Sequence, residues 1–313
     1  MDVYILLLAS SSRKVKGFSK AKKVWSSKLP IDQLDALSSD HEEADTRIVL
    51  HARDAAVKGF KQVNVLYRDT DVLVLLLSHR QELCDELWIF AGMSKRKKYI
   101  PIQRIPLSEE KQKSLLAFHA ITGCDMTSQF YGVRKTIAWK VFLEVPQLLE
   151  DLGEENPISA RVYVDAEAFV CNLYNANTQE VEINKERAAA FRKSRKDRDA
   201  LPPTQDALRL HIGRAHYQPM VWKRALQPYP SLPRPEDSWW HYNEGVLRPE
   251  LMTQEAVSEA CLQLAFYGCS REYSCCINRR CKCVRLSLIC SKACKCSNRC
   301  RNTVDTSVEE DES

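Results

Sequence analysis

The chain has 313 residues, of which 44% are hydrophobic and 28% charged, and its formal net charge is only +5. That balance describes a globular protein long enough for more than one domain, and excludes a wholly disordered polyelectrolyte. No apolar run approaches the roughly 18 residues of a transmembrane helix, so no membrane partner is expected, and any strong basic character has to be local.

In chain order, residues 1–38 combine a short apolar strand candidate, Val3–Leu8, with a basic stretch from Arg13 to Lys28. Ser39-Asp40-His41-Glu42 reads as a capping box, in which the serine and glutamate side chains satisfy each other's free backbone amides. The helix it opens is expected to run to about Lys58 and stop at Gly59. Gln62–Tyr67 is an apolar strand candidate with Asp69-Thr70-Asp71 at its carboxyl end, and Val72–Leu77 is wholly apolar and expected to be buried. Two shorter strands, Leu87–Phe90 and Tyr99–Ile102, flank the basic loop Lys95–Lys98, and a helix is expected over Lys111–Ile121. Strands alternating with helices point to an α/β fold with a mainly parallel sheet. In such sheets ligands sit beyond the carboxyl ends of the strands.

Residues 151–260 read as a helical region. Helices are expected over Val162–Tyr174 and Asn184–Asp199, and from Pro202-Pro203-Thr204 to about Leu226. His211 and His216 read as core or surface histidines rather than ligands. Pro228, Pro230, Pro233 and Pro235 mark an extended linker, with Trp239-Trp240 docking it on a surface. Thr253–Tyr267 reads as a last helix, and residues 304–313 as a disordered acidic tail.

Between these lies the strongest signal in the chain. Nine cysteines, Cys269, Cys275, Cys276, Cys281, Cys283, Cys290, Cys294, Cys296 and Cys300, crowd into one short segment. Zinc favours thiolates in a tetrahedral shell, and its binding can supply the folding free energy that a segment without an aliphatic core lacks. A disulfide knot is the competing reading. Two features weigh against it: no secretory signal opens the sequence, and Cys84, Cys124, Cys171 and Cys261 are scattered as in a reduced intracellular protein.

From Cys276 the spacing C-x4-C-x-C-x6-C-x3-C-x-C-x3-C resembles the cysteine-rich CXC domain of the tesmin family. The resemblance implies a DNA-binding module over residues 261–303, in which nine cysteines hold three zinc ions, three of the thiolates bridging. It departs in its amino half, where Cys269 stands apart and Cys275-Cys276 are adjacent. The place of the family's DNA-reaching tyrosine is taken by Arg280. Arg279, Arg280 and Lys282, with Arg285, Lys292, Lys295, Arg299 and Arg301, make the segment basic, which suits phosphate contacts. A zinc knot that binds protein is the alternative. DNA as partner and a nuclear location are the corresponding expectations.

The acids carry a second resemblance. Glu43-Ala44-Asp45, Arg68-Asp69-Thr70-Asp71 and Thr122-Gly123-Cys124-Asp125 follow the order of the carboxylate segments in the flap-endonuclease/XPG branch of PIN-like nucleases, including Asteroid-like members. Gly132-Val133-Arg134-Lys135-Thr136-Ile137-Ala138 matches that family's helix–hairpin–helix, which grips duplex backbone. Residues 119–125 and 69–77 also look like stretches of transposon-associated invertebrate proteins, some ending in a CXC module.

The resemblance implies a PIN-like domain over residues 1–150. In it Glu43, Asp45, Asp69, Asp71 and Asp125 would hold Mg²⁺ or Mn²⁺, and Gly132, Arg134 and Lys135 would contact DNA. Carboxylates from three segments suit two-metal phosphodiester cleavage where they converge. Each acid also has a local role open to it, as a first-turn dipole partner, a turn residue or a cap. The family's further amino-terminal aspartates have no match, as in a truncated member, and the hairpin's second glycine is Arg134, expected to distort the turn. A metal-dependent endonuclease with impaired catalysis is therefore the expected state of this half.

Overall fold

A computed structural model of the chain describes residues 3–7 (backbone), 38–66, 69–91, 98–176, 178–193 and 201–254, with the single positions 284 and 302. The nine cysteines of 269–300, together with Arg279, Arg280, Lys282, the helix expected over Thr253–Tyr267 except its first two residues, and the acidic tail, lie outside the described residues. The chain divides into two compact units, Met1–Met252 and Thr253–Ser313. The following concerns the first.

The fold is mixed α/β. Four strands, β1 (Val3–Leu7), β2 (Gln62–Leu66), β3 (Glu86–Ala91) and β4 (Lys98–Pro101), form one sheet in sequence order. β1, β2 and β3 run parallel, in register Val3–Gln62–Glu86, and β4 returns antiparallel to β3 with Trp88 opposite Pro101. Central β2 alternates, with Val63 and Val65 buried.

Among the described residues seven helices accompany the strands: α1 (Ala44–Val57), α2 (Thr70–Ser78), α3 (Glu109–Ile121), α4 (Lys135–Glu144), α5 (Ala160–Tyr174), α6 (Ile183–Lys193) and α7 (Gln205–Lys223). The apolar run after Asp71 forms α2, which buries Val72, Leu75, Leu76 and Leu77. One continuous core runs from Ile48 on α1 to Leu226 beyond α7, so the segment after residue 150 packs together with the sheet-bearing segment before it. At its centre Phe118 stacks on Phe142, ring centroids 4.6 Å apart. No helix among the described residues is long and apolar enough to cross a membrane.

Helix ends correct three expectations. α1 ends at Val57, with Gly59 at φ 84° as expected, but it begins at Ala44 rather than beside Ser39. The capping box is overridden because its backbone is engaged elsewhere. The Asp40 amide donates to the Pro228 carbonyl at 3.2 Å, the His41 ring bonds the Gln227 carbonyl at 2.6 Å, and the Arg47 guanidinium takes the His41 carbonyl. Tyr229 also donates to Ser38, so residues 38–41 and 226–229 form a clasp. At α7, Thr204 is the N-cap, accepting from the Ala207 amide, and the two prolines precede the helix instead of opening it; the helix ends at Lys223. Arg134, in turn, causes no distortion. It is the N-cap of α4 at φ −76°, while the left-handed position is Gly132 at φ 77°.

Beyond α7 the proline-containing segment leads to a hairpin, β5 (Trp240–Asn243) and β6 (Val246–Pro249), turning through Glu244 and Gly245, both at positive φ. Trp239 docks this segment on α7. Its indole lies where a Cβ on Gly213 would come within 2.1 Å, and its Nε1 donates to the Tyr163 hydroxyl at 3.2 Å. The absent side chain at Gly213 makes the seat.

Candidate functional site

The carboxylates singled out by sequence are all among the described residues, at the start of α1, the start of α2 and the loop after α3. Asp69 is the N-cap of α2, its carboxylate accepting from the Asp71 amide at 3.2 Å. Asp71, in the first turn, is buried and bonded to His119 of α3, Nε2 to Oδ1 at 2.8 Å. Burial by itself would raise the Asp71 carboxyl, but the hydrogen bond and charge of His119, with Lys135 nearby, outweigh it and hold the group below its ordinary range.

Glu43 is the N-cap of α1, yet its side chain caps nothing. Both oxygens turn to α7: Gln218 Nε2 donates to Oε1 at 2.8 Å and the Trp222 indole to Oε2 at 2.9 Å. Burial raises its pKa despite those bonds, with Asp45 and Asp71 pushing the same way. Trp222 joins the two carboxylates. Its ring lies 5.6 Å from the His119 ring, centroid to centroid, while its own carbonyl takes the His79 imidazole at 3.0 Å. The result is a polar seam running Glu43, Trp222, His119, Asp71 through the core.

Asp125 is exposed in the loop after α3. What burial it has raises its pKa, and the charges of Asp71 and Asp69 add to that. The loop is shaped by Gly123 at φ 107°, where a Cβ would meet Gln129 at 2.7 Å, and by Thr127, whose hydroxyl donates to the Ala120 carbonyl at 2.5 Å. Lys135 turns its ammonium onto the Gly123 carbonyl at 2.6 Å. Burial lowers its pKa, and Asp71, Cys124 and Asp69 pull it back up. Of the residues expected on DNA, the three in the described segment are placed so: Gly132 supplies the turn, Arg134 is the exposed N-cap of α4, and Lys135 is directed back onto the Gly123 carbonyl.

The segments thus come close enough for their charges to interact, but the acids do not converge. Among the described residues no group of three or more histidine, cysteine, aspartate or glutamate side chains is placed to hold a metal ion. Glu43 faces Gln218 and Trp222, Asp69 closes a helix, and Asp71 faces an imidazole. As placed, these carboxylates do not fit Mg²⁺ or Mn²⁺, which want oxygens directed at one point.

Sequence reasoning missed His119, Gln218 and Trp222 as parts of this site. His119 had a signal available, since it lies on the buried face of the helix leading directly into Asp125. Gln218 and Trp222 had none, being more than 170 residues from Glu43. His211 and His216 are buried, bonded to the carbonyls of Ile121 at 2.8 Å and Glu155 at 2.7 Å. Comparison of the chain with protein-family models, with curated proteins and with solved structures finds no match in any of the three.

Proposed function

We propose that this chain is a zinc-dependent DNA-binding protein whose α/β half carries a degenerate PIN-like nuclease site. For that half the reading rests on one observation: Asp71 is held by the His119 imidazole at 2.8 Å. Lys135 and His119, groups of the protein itself, balance charge that a divalent cation would otherwise balance. For the DNA-binding half the support is the nine-cysteine spacing and the basic residues threaded through it. Thiolate ligands are the right chemistry for zinc, and coordination would fold the segment around the ions. Arg279, Arg280 and Lys282 would then meet phosphate, with affinity that falls steeply as salt rises.

The test uses the full chain purified with its zinc. Metal content, DNA affinity across a salt series, and cleavage of single-stranded and flap DNA with Mg²⁺ or Mn²⁺ are measured beside an Asp69→Ala/Asp71→Ala variant. The proposal expects bound zinc, salt-dependent binding, and no cleavage above the variant. Cleavage that the double substitution abolishes would establish instead an active metal-dependent nuclease. Zinc-loaded protein that ignores DNA would leave a protein-binding zinc knot.

A further inference from the structure

A cavity of about 380 Å³ opens beside the clasp, lined in part by Glu43 and within the range of sites that enclose small ligands. Its walls come from four places: the start of α1 with the residues entering it, Met126 in the loop after α3, the face of α7, and the hairpin with the loop before it. One end is acidic, formed by Asp40, Glu42 and Glu43; the body is apolar and aromatic, including Tyr217 and Tyr242. Among the described residues no lysine or arginine lines it.

His41 sharpens the chemistry. It lines the same cavity, is 7% exposed, and its Nδ1 is buried without a partner. Its Nε2 faces the Gln227 carbonyl at 2.6 Å and must therefore donate, which leaves Nδ1 as the ring nitrogen without a partner. Asp40 and Glu42, both exposed, with the Glu43 carboxylate bonded behind them to Gln218 and Trp222, suit a guest that donates hydrogen bonds and carries positive charge. Two tyrosine rings beside them suit a cation and its aliphatic stem. The carboxylates are felt inside the cavity: burial first, then Glu42 and the other acids, push the Tyr217 phenol up to about 12.

We infer that this cavity binds an alkylammonium or guanidinium group on an aliphatic stem. The chemistry is shared by a free diamine and by a lysine or arginine side chain presented on a partner. The cavity is lined only by residues of the first unit, so the inference does not rest on the cysteine segment binding DNA.

The experiment is calorimetric titration of the full zinc-loaded chain at about 0.15 M salt, where loose surface pairing is largely screened. The probes are cadaverine, agmatine, and an end-blocked Gly-Lys-Gly peptide, with pentan-1-ol as the neutral control. Saturable binding of a cationic probe is expected, weakened about tenfold by Asp40→Asn/Glu42→Gln, the loss of favourable charge pairs in a half-open site. Tyr242→Ala should weaken it about threefold. Preference for the peptide assigns the site to a partner side chain, and preference for the free amines to a small molecule. The inference is overturned if no cation binds saturably, if pentan-1-ol binds as well, or if the folded acid variant binds as tightly as the parent. Should the acid variant fail to fold, unchanged affinity in Tyr242→Ala overturns it instead.

Discussion

Residues 38–252 and residues 269–300 differ first in what they have to bury. The former bring together Ile48, Leu75, Leu115, Ile121, Phe142 and Trp222, all essentially inaccessible to water, and area removed from water holds them. The latter offer nine cysteines and few large apolar side chains. In the proposal above, coordination does there what packing does in the α/β unit. A single chain would then have two independent conditions for being folded, and each can be removed without touching the other.

The sharpest cut is metal removal. A strong chelator should strip on the order of 10 kcal/mol of folding free energy from the cysteine segment and abolish DNA binding, while the thermal transition of the helical unit stays in place. Circular dichroism melting alongside DNA affinity checks this, and a helical transition that collapses with the metal would dissolve the contrast. The converse cut is Phe142→Ala, which empties the aromatic stack against Phe118 and should remove about 3–5 kcal/mol from the α/β unit. Urea denaturation followed by helical signal measures it, with zinc content expected to hold.

Acid provides a third cut, smaller and of fixed sign. Burial lowers His211 to about 4, and it also lowers His51, His79 and His216. The folded state therefore binds fewer protons than the unfolded chain below the ordinary histidine value. Stability is full above about pH 6.5 and falls as pH drops toward 4, by a few kcal/mol. His211→Gln, which keeps a polar group near the Ile121 carbonyl, should flatten that slope in a pH series of urea midpoints. Least of all, Asp71→Ala should cost about 1–3 kcal/mol by leaving the buried His119 ring without its acceptor. If the variant proves as stable as the parent, the pair is not the internal neutralisation proposed for the site.

Much of the α/β unit could be read from the sequence wherever a local signal met no long-range competitor. Gly59 stops α1 because the chain must turn left-handed there, and the apolar stretches Gln62–Tyr67 and Leu87–Phe90 mark β2 and β3. Where distant groups intervened, local signals lost. Ser39 and Glu42 spell a cap, yet Pro228 and Gln227 claim the neighbouring backbone and ring. The hairpin went unread because its turn is Glu244-Gly245, and glutamate at positive φ is no usual turn signal. For the site, order along the chain located the acids but not their orientation. That is set by Gln218, Trp222 and His119, which only the folded chain delivers to Glu43 and Asp71.

The clasp between residues 38–41 and 226–229 has a consequence for the order of events in folding. It joins positions about 190 residues apart in sequence, as the Ser38–Tyr229 and His41–Gln227 bonds record. Contacts of such separation carry the largest loop-closure entropy, so they form after the helices and sheet have shortened the path between them. By the same reasoning they are the first to open in native-state breathing, because few buried side chains must separate with them. Glu43 lies two residues beyond His41, so each such opening frees the start of α1 and loosens the hold of Gln218 and Trp222 on its carboxylate.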